Sequence, residues 1–570
     1  MALAKPWPAR SSLMRTNSNQ PVKIAILASS TLTGLEKIVR AKGEALGLRP
    51  DVFLGGYNQY HQEILNEESL FYQFAPDLMV LFIDTRAWLG DAFFDFYQLN
   101  ENERKKLWRI KIRELVKLIE TVNQKSQTKI IVHNFEVPTE SPFGILENKQ
   151  TLGLVEFVET LNADLRRRYR SDPRVFVFDY NNFMSSLGKK AVFNRKLYYL
   201  ADMKIDPACL PALAEQYLSY VKPLKSLTKK CLVLDLDNTL WGGVIGEDGL
   251  EKIKLGPTPG GRPFWEFQRH LLALFNRGVI LAINSKNNPA DAGAVFKKHP
   301  HMILKEKHFA AIRINWDDKV ANLKAIAKEL NLGLDSFVFM DDDKLNRELV
   351  KSQLPEVLVV DLPADPALYP QTLLALDDFN SFDFSPEDQK RGEMYAAQRQ
   401  RQQLGRATAG GLGEYLKALK QVVTIKKANS LTIPRLAQLT QKTNQFNLTT
   451  RRYLTEEIER LTQDKNYLLF GVAVKDKFGD NGLAGLAIVK KGSAAWLIET
   501  LLLSCRIIGR RVEDVMLAQI AAQAKKVGVK KLVGEFIATA KNAPAKDFYK
   551  KHGFVLDKKN KGREFWTKNN

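Results

Sequence analysis

From Pro21 onward, short runs of apolar residues alternate with longer stretches in which apolar positions recur every three or four residues. The first pattern reads as buried strand and the second as amphipathic helix. KIAILASS after Pro21 is such a strand, and LEKIVRAKGEALG such a helix. Further strands are PDLMVLFID from Pro76, KIIVHNFEVP from Lys129 and RVFVFDY from Arg174. Strands that are apolar throughout are buried on both faces, and their alternation with helices predicts a mostly parallel sheet. A second set begins near Lys229, with strands CLVLDLD, GVILAINS, FAAIRIN, SFVFMDD and EVLVVDLP, and helices FWEFQRHLLALFNRG and KVANLKAIAKELNLG. It predicts another doubly wound sheet. Residues 371–406, containing SPEDQKRGEMYAAQRQRQQLGR, are rich in charge and Gln and read as an exposed helix or linker. The remainder runs helix, three strands (YLLFGVAVKD, GLAGLAIVKK, AWLIETLLLS), helix, strand (KLVGEFIA), helix. The reading is α/β with three domains. Two are doubly wound parallel sheets, at 21–225 and 226–370. The third is an α+β unit at 407–570, and residues 1–20 are expected to form a flexible tail.

Length agrees with pattern, since 570 residues exceed one core and suggest about three or four domains. Charge adds more. Lys and Arg number 85 against 64 acidic residues, a net charge of +21. Such an excess attracts polyanions and acidic proteins. No zinc-ligand spacing, aromatic RNA-binding strand signature or Arg-rich arm accompanies it. That argues against direct nucleic-acid recognition and leaves a phosphorylated metabolite or an acidic carrier protein. The three cysteines, Cys209, Cys231 and Cys505, are odd in number and far apart. No disulfide framework is expected, and a reducing, cytoplasmic setting fits. The first twenty residues lack the apolar core of a secretory signal, and no stretch approaches the ~20 apolar residues of a membrane span.

Ligands of open parallel sheets sit beyond the carboxyl ends of the strands, so the polar residues that follow each apolar run carry the candidate chemistry. In the middle domain these are Asp235 and Asp237 after LVL, Ser285 and Lys286 after VILAIN, and Asp341, Asp342 and Asp343 after FVFM. Lys319 opens the helix after FAAIRIN. A carboxylate can attack phosphorus to form an aspartyl-phosphate. A second carboxylate two residues on lies on the same side of an extended chain, where it can protonate the leaving group and later activate water. Carboxylates gathered at strand ends call for a hard cation, and Mg²⁺ suits them, with Asp235, Asp237, Asp341 and Asp342 the candidate ligands. Ser285 can hydrogen-bond a phosphoryl oxygen, and Lys319 can neutralise the transferring group. A solvated acidic turn explains any one of these motifs, but poorly explains four at successive strand ends.

DLDNT, a Ser-Lys pair, a Lys and a double Asp, in that order, resemble the haloacid dehalogenase (HAD) phosphatase superfamily. DLDNTLWGGVIGEDG, with NSKNN and NWDDKVANL, is similar more narrowly to its FkbH-like class. The resemblance implies Asp235 as nucleophile, Asp237 as acid and base, Ser285 and Lys319 on phosphate, and Asp341 or Asp342 on Mg²⁺. Only a WGGVIGEDG flap and one helix separate Asp237 from Ser285. No large cap domain fits there, so a site open to a bulky or protein-linked substrate is expected. The run DDDKLNRE, with Asp343, Lys344 and Asn346, departs from the Asn-Pro and Glu-Arg continuation common in the class, which leaves the support of the metal ligands open.

The last domain resembles the Gcn5-related acetyltransferase (GNAT) fold. KTNQFNLTTRRY, DKFGDNG, LLSCRIIGRRVE and TAKNAPAKDFYKKHGF are similar to the C-terminal half of FkbH-like proteins. Arg506, Gly509 and Arg510 lie in a segment similar to the R-x-x-G-x-G/A loop that cradles the pyrophosphate of coenzyme A, or equally a carrier's phosphopantetheine arm. Arg511 replaces the last small residue, which either blocks close approach or adds a cation. The resemblance implies that Asn542 and Tyr549 flank an acyl thiol, with helix packing and capping as the alternative. Cys505, between an apolar strand and a basic helix start, reads as a thiol whose thiolate is favoured there or as a buried core cysteine, and the resemblance implies the former, as the acyl-carrying nucleophile. The first domain resembles an SGNH-hydrolase-like domain, including YNQYHQEIL from Tyr57. Ser29 or Ser30 could serve as its Ser and Asn134 as an oxyanion donor. However, DPACLPALA from Asp206 offers no His, so a non-hydrolytic domain is expected. Taken together, the resemblance implies an enzyme that dephosphorylates 1,3-bisphosphoglycerate and passes the glyceryl unit through a thiol to an acidic acyl carrier protein. The alternatives are a plain Mg²⁺ phosphatase whose last domain acetylates from CoA or only binds, and a non-enzymatic basic scaffold.

Overall fold

Strand-forming runs of the first region become β1 (Gln20–Ala28), β2 (Leu48–Leu54), β3 (Leu78–Phe82), β4 (Lys129–His133) and β5 (Val175–Phe178). They pair in parallel in the order β2-β1-β3-β4-β5. This is a computed structural model, and it describes residues 20–384, 386–408, 411–539, 541–560 and 562–569. The expected tail, up to residue 19, lies outside them. Successive side chains of a strand point to opposite faces. Accordingly Ile24, Ile26, Val80 and Phe82 join one core with Leu213 and Tyr217, while Ala25, Leu27, Met79 and Leu81 join another with Leu115 and Phe157. The hydrophobic pattern did not single out β2. Its sequence LRPDVFL contains Pro50 and Asp51, which are tolerated because β2 is an edge strand.

All five expected strands of the second region form: β6 (Cys231–Leu234), β7 (Ile280–Ser285), β8 (Phe309–Ile314), β9 (Phe337–Asp341) and β10 (Leu358–Asp361). The sheet is parallel, in the order β10-β9-β6-β7-β8. The chain runs outward from β6 through β7 to β8, then returns to β9 on the other side of β6. The carboxyl ends of β6 and β9 therefore flank the point where strand order reverses, the favoured ligand crevice of such sheets.

The third sheet is mixed. It contains β11 (Val422–Lys427), β12 (Phe446–Asn447), β13 (Tyr467–Asp476), β14 (Gly479–Lys490), β15 (Ala495–Leu503), β16 (Lys531–Ile537), β17 (Val555–Asn560) and β18 (Arg563–Asn569). Its order is β11-β13-β14-β15-β16-β18-β17, with β12 on β15. The parallel pair β15/β16 is joined only from Ala495–Ile498 against Lys531–Gly534. Beyond that the backbone of β12 fills the gap. Phe446 and Asn447 pair with Leu503 and Leu502, Leu448 donates to Leu501 O (3.1 Å), and Ile537 donates to Leu448 O (2.9 Å).

By backbone contacts the described chain forms two compact units. One holds residues up to 227 and 380–383, and the other holds 228–379 and the chain from 384 onward. The second and third sheets thus share one unit, and the segment expected to be an exposed linker helps to join them. Helix Arg391–Ala407 carries buried Met394, Tyr395 and Arg401, and Tyr395 belongs to the core of the second sheet. Charge and Gln content hid this because the buried face includes an arginine. Arg401 is 1% exposed and binds both carboxylate oxygens of Asp476 (2.8 and 2.9 Å), which Arg510 also reaches at 3.1 Å. Replacing Asp476 by Ala would strand two buried guanidinium groups. The expected loss is about 3–5 kcal/mol from the unfolding free energy of this unit, measured by urea unfolding. A variant that unfolds at the wild-type midpoint would refute the role of this ion cluster.

Candidate active site

Residues at the carboxyl ends of β6 and β9 converge with the residue that opens the helix after β8. Asp235 follows β6 and Asp341 ends β9, one on each side of the switch point. Both are buried, and Lys319 is buried against them. Its ammonium lies 2.7 Å from Asp235 Oδ1 and 2.9 Å from Asp341 Oδ2, and it donates to the backbone O of Asn284 at 2.7 Å. Lys319 begins helix Lys319–Leu330, capped by the side chain of Asp318 on Val320 N (2.7 Å), so its base is fixed by a short loop. Asn284 completes the clasp by donating to Lys319 O (2.9 Å).

Carboxylate oxygens of Asp235, Asp341 and Asp342 lie within 4.8 Å of one another. Among the described residues, Lys319 is the one cation in ion-pair contact with them. Three acids against one ammonium leave surplus negative charge in a buried place. Burial, then Asp235 and Asp341, push the Asp342 carboxyl up to about 7. Burial and Asp235 also raise Asp341, against the pull of Lys319. Lys319 is raised as well. Burial opposes its charge, but Asp235 and Asp341 outweigh that. Asp341 Oδ2 faces the ammonium yet takes no well-aligned hydrogen bond. A hard divalent cation held by Asp235, Asp341 and Asp342 would answer both the surplus charge and this oxygen.

Asp237 is placed differently. Its carboxylate is outside that group and accepts from Trp241 Nε1 (2.8 Å), Ile245 N (3.1 Å) and Asn287 Nδ2 (2.8 Å). Burial raises its pKa, partly offset by these donors. Such a carboxyl can hold a proton. As a metal ligand through its side chain, it is not positioned with the other three. Ser285 is the last residue of β7 and is buried, two residues beyond Ile283, which pairs with Leu234 of β6.

Several supporting residues carried no sequence signal beyond lying within the motifs. Trp241 is fully buried under the flap. Asn238 takes a left-handed backbone (φ 51°) and accepts from Gly243 N (2.8 Å), which folds the chain back over Asp237. Gln268 donates to Leu240 O (2.8 Å) and accepts from the backbone N–H of Ile303 and Leu304 (3.1 Å each), pinning the flap from below. The open question over DDDKLNRE has a structural answer. Asp343 caps the next helix through Leu345 N (2.9 Å), its own N–H holds Asp341 Oδ1 (2.9 Å), and Arg347 donates to the backbone O of Asp341 and Asp342 (2.7 and 2.6 Å). Between Asp237 and Ser285 the chain forms only the flap, with helix Ile245–Lys252, and helix Arg262–Asn276.

The C-terminal candidates look different in place. Cys505 opens a short turn, Cys505–Ile507, and the following helix starts only at Val512. Its thiol is half-buried and 2.7 Å from Tyr395 OH. The arginines expected to favour a thiolate are engaged elsewhere: Arg506 with Ser504 and Met394, Arg510 with Asp476 and Gln398, Arg511 with Asp514. An anion at this helix start would meet Glu513 and Asp514 in its first turn, and these already occupy the positive helix end. Arg511 itself is left-handed (φ 58°), and Gly509 is free to adopt its φ of 77°. Asn542 is wholly buried and spent on Thr539 N, Asn447 O and Ile537 O (2.8–3.0 Å), so it braces the gap between β15 and β16. Tyr549 is buried against Gly534, where a side chain would collide with its ring. The polar groups of both residues are thus already partnered within this domain, Tyr549 OH donating to Glu535 O at 3.4 Å.

In the first domain, Ser29 Oγ accepts from Asp84 N (2.8 Å), and buried Lys204 sits between Asp84 and Glu136. Asn134 donates to Asp179 (2.7 Å) beside a polar cleft of about 500 Å³ also lined by Asn162, Asn181 and Arg166. Asp206 is used by Ala208 N and Asn194 (2.9 and 2.8 Å), and Ser30 is buried.

Residues 23–222 match the model of a family described as FkbH, N-terminal domain. Among solved structures, the chain is similar to the N-terminal part of protein BF1531 from Bacteroides fragilis, which contains a phosphatase domain and was crystallised with Mg. Identity is 28%, the TM-score is 0.60, and the match covers 65% of this chain and 98% of that one. Lesser matches include the ribosomal-protein-S18-alanine N-acetyltransferase of Escherichia coli. It is 16% identical with a TM-score of 0.21, over 26% of this chain and 94% of that one. Another is the PaiA N-acetyltransferase of Thermoplasma acidophilum with coenzyme A, at 18% and 0.20, over 26% and 99%. No curated protein matches. Among the described residues no helix is long and apolar enough to cross a membrane.

Proposed function

We propose that the protein is a Mg²⁺-dependent phosphatase of the HAD type, with Asp235 as nucleophile. The carrying observation is the gathering of Asp235, Asp341 and Asp342 about Lys319 at the switch point of the second sheet. Similarity to a Mg-bound phosphatase domain supports the same reading. The Asp235 carboxylate attacks phosphorus, and the bond from phosphorus to the leaving oxygen breaks. Asp237, raised in pKa, gives that oxygen its proton. It then takes a proton from the water that hydrolyses the aspartyl-phosphate. Lys319 and Ser285 hold phosphoryl oxygens. A bound Mg²⁺, on Asp235, Asp341 and Asp342, would supply charge neutralisation at the same oxygens. With no cap between Asp237 and Ser285, the site accepts phosphate carried on a sizeable molecule.

A second reading adds acyl transfer. In it the substrate is 1,3-bisphosphoglycerate: the Cys505 thiolate attacks the acyl carbonyl and displaces the C1 phosphate, the Asp235 site hydrolyses the C3 phosphate ester with water, and the glyceryl unit passes by thioester exchange to the phosphopantetheine thiol of an acidic acyl carrier protein, freeing the Cys505 thiol. Its support is that Cys505 packs against the core of the second sheet, within the same compact unit.

Asp235→Asn is expected to abolish phosphate release and the acid-stable phosphoenzyme, read by colorimetric phosphate assay and by intact mass. Asp237→Asn should lower turnover by about 10²–10⁴-fold. Wild-type turnover in Asp235→Asn would end the proposal. Incubation with 1,3-bisphosphoglycerate should leave a mass adduct absent from Cys505→Ala, and an adduct that persists in that variant rules out the Cys505 step. The raised Asp342 carboxyl gives a test without turnover. The metal-free folded chain keeps this proton up to about 7, whereas an ordinary carboxyl loses it near 3.8. The folded state then binds more protons, so metal-free stability falls as pH rises through that window. Mg²⁺ competes for the same oxygen. It should raise the melting temperature more at about pH 8 than at about pH 5.5, and an equal rise at both would contradict this.

A further inference from the structure

Trp316 stands in the loop between β8 and Lys319, 70% exposed, whereas every other described tryptophan is buried or partly so. Large aromatic rings are usually covered, because leaving one in water forfeits more apolar burial than almost any other residue can offer. This one is also held still. Its indole N–H donates to Asn288 Oδ1 at 3.1 Å. The loop that carries it is tied down on both sides. Asn315 N donates to Ser285 O (3.1 Å), the side chains of Asn315 and Asn322 pair (2.8 and 3.3 Å), and Asp317 N donates to Asn315 Oδ1 (3.2 Å). Asn288 lies three residues after Ser285, and Trp316 three residues before Lys319. The ring is thus fixed between the two loops that deliver the proposed phosphate-holding groups, while its face is left to solvent.

We propose that Trp316 is a specificity-determining substrate contact. It provides a platform for an apolar or planar group extending from the phosphate, so that the site prefers organic phosphates with such a group over very small ones. The inference rests on the phosphoryl-transfer reading and sharpens it by naming the substrate class. The geometry accounts for the rigidity, since an indole ordered before binding loses little freedom when a ligand stacks on it. The missing cap accounts for the need, since between Asp237 and Ser285 the described chain supplies only the flap and helix Arg262–Asn276.

Two measurements separate this inference from the reading beneath it. In steady-state assays with 1-naphthyl phosphate and acetyl phosphate, the ratio of the two kcat/KM values should fall about tenfold in Trp316→Ala. The change should be carried by KM and largely restored in Trp316→Phe. An unchanged ratio overturns the inference and leaves the phosphatase standing. In Mg²⁺-containing Asp235→Asn protein, titration with 1-naphthylphosphonate should alter tryptophan fluorescence, and the added Trp316→Phe change should remove that response. A response that survives Trp316→Phe, or no response at all, overturns the inference even where neither phosphate ester is turned over, an outcome that would also count against the phosphatase.

Discussion

The second sheet depends on one ammonium group. Lys319 is buried between Asp235 and Asp341, with Asp342 close by, and no other cation among the described residues pairs with those acids. Taking an isolated charge out of water costs several kcal/mol, and partners restore it only with good geometry. That requirement reaches outward. The Asp318 cap fixes where the helix begins, and Asn284 clasps Lys319 through main-chain and side-chain bonds. Arg347 steadies the carbonyls of Asp341 and Asp342 from the far side. The strand order brings these contributions together because β6 and β9 adjoin although more than a hundred residues separate them in the chain. Lys319 neutralises only part of the charge assembled there. The remaining deficit separates a site built for a divalent ion and a phosphoryl group from a plain structural salt bridge, which would balance its own charges.

Much of this was legible in the sequence, and the reason is physical. Strands buried on both faces must be apolar throughout, so CLVL, VILAIN and FVFM declare themselves, and the first polar residue after each necessarily falls on the ligand-bearing edge. Asp235, Ser285 and Asp341 could be located for that reason. The flap was less legible, because its geometry depends on Asn238 in a left-handed conformation and on Gln268, thirty residues away, supplying the bonds its backbone lacks. Edge strands also escaped notice. β2 carries Pro50, β11 alternates exposed and partly exposed residues, and the β17/β18 hairpin is rich in Lys. None of these has two buried faces to impose an apolar run.

Helix Arg391–Ala407 shows a different failure of pattern reading. Charge and Gln suggested a solvated segment, yet its inner face holds Met394, Tyr395 and Arg401 against two sheets. A buried arginine looks like a surface residue in any composition count, and only its partner, Asp476, reveals otherwise. The C-terminal loop is the opposite case. Its resemblance to a pyrophosphate-binding loop rests on backbone N–H groups, and the side chains of Arg506, Arg510 and Arg511 around it are already partnered. These are bonded to Ser504, Asp476 and Asp514, and two acids already sit in the first turn of the helix.

The position of Cys505 limits how the two halves of this unit could work together. Its backbone O accepts from Asn331 Nδ2 (3.4 Å), and Asn331 closes the helix Lys319–Leu330, whose first residue, Lys319, pairs with Asp235. That helix has 12 residues and is about 18 Å long, so Cys505 and Asp235 lie toward its opposite ends. A group attached to Cys505 cannot at the same moment lie on Asp235. The gap between β15 and β16 is filled by the backbone of Phe446–Leu448. If an acyl group does move between the two, it must be carried, either on a long arm such as phosphopantetheine or by a rearrangement that frees Cys505 from Tyr395. A phosphatase acting alone needs neither. Acyl transfer through Cys505 thus requires such movement, whereas Asp235, Asp341, Asp342 and Lys319 already lie together.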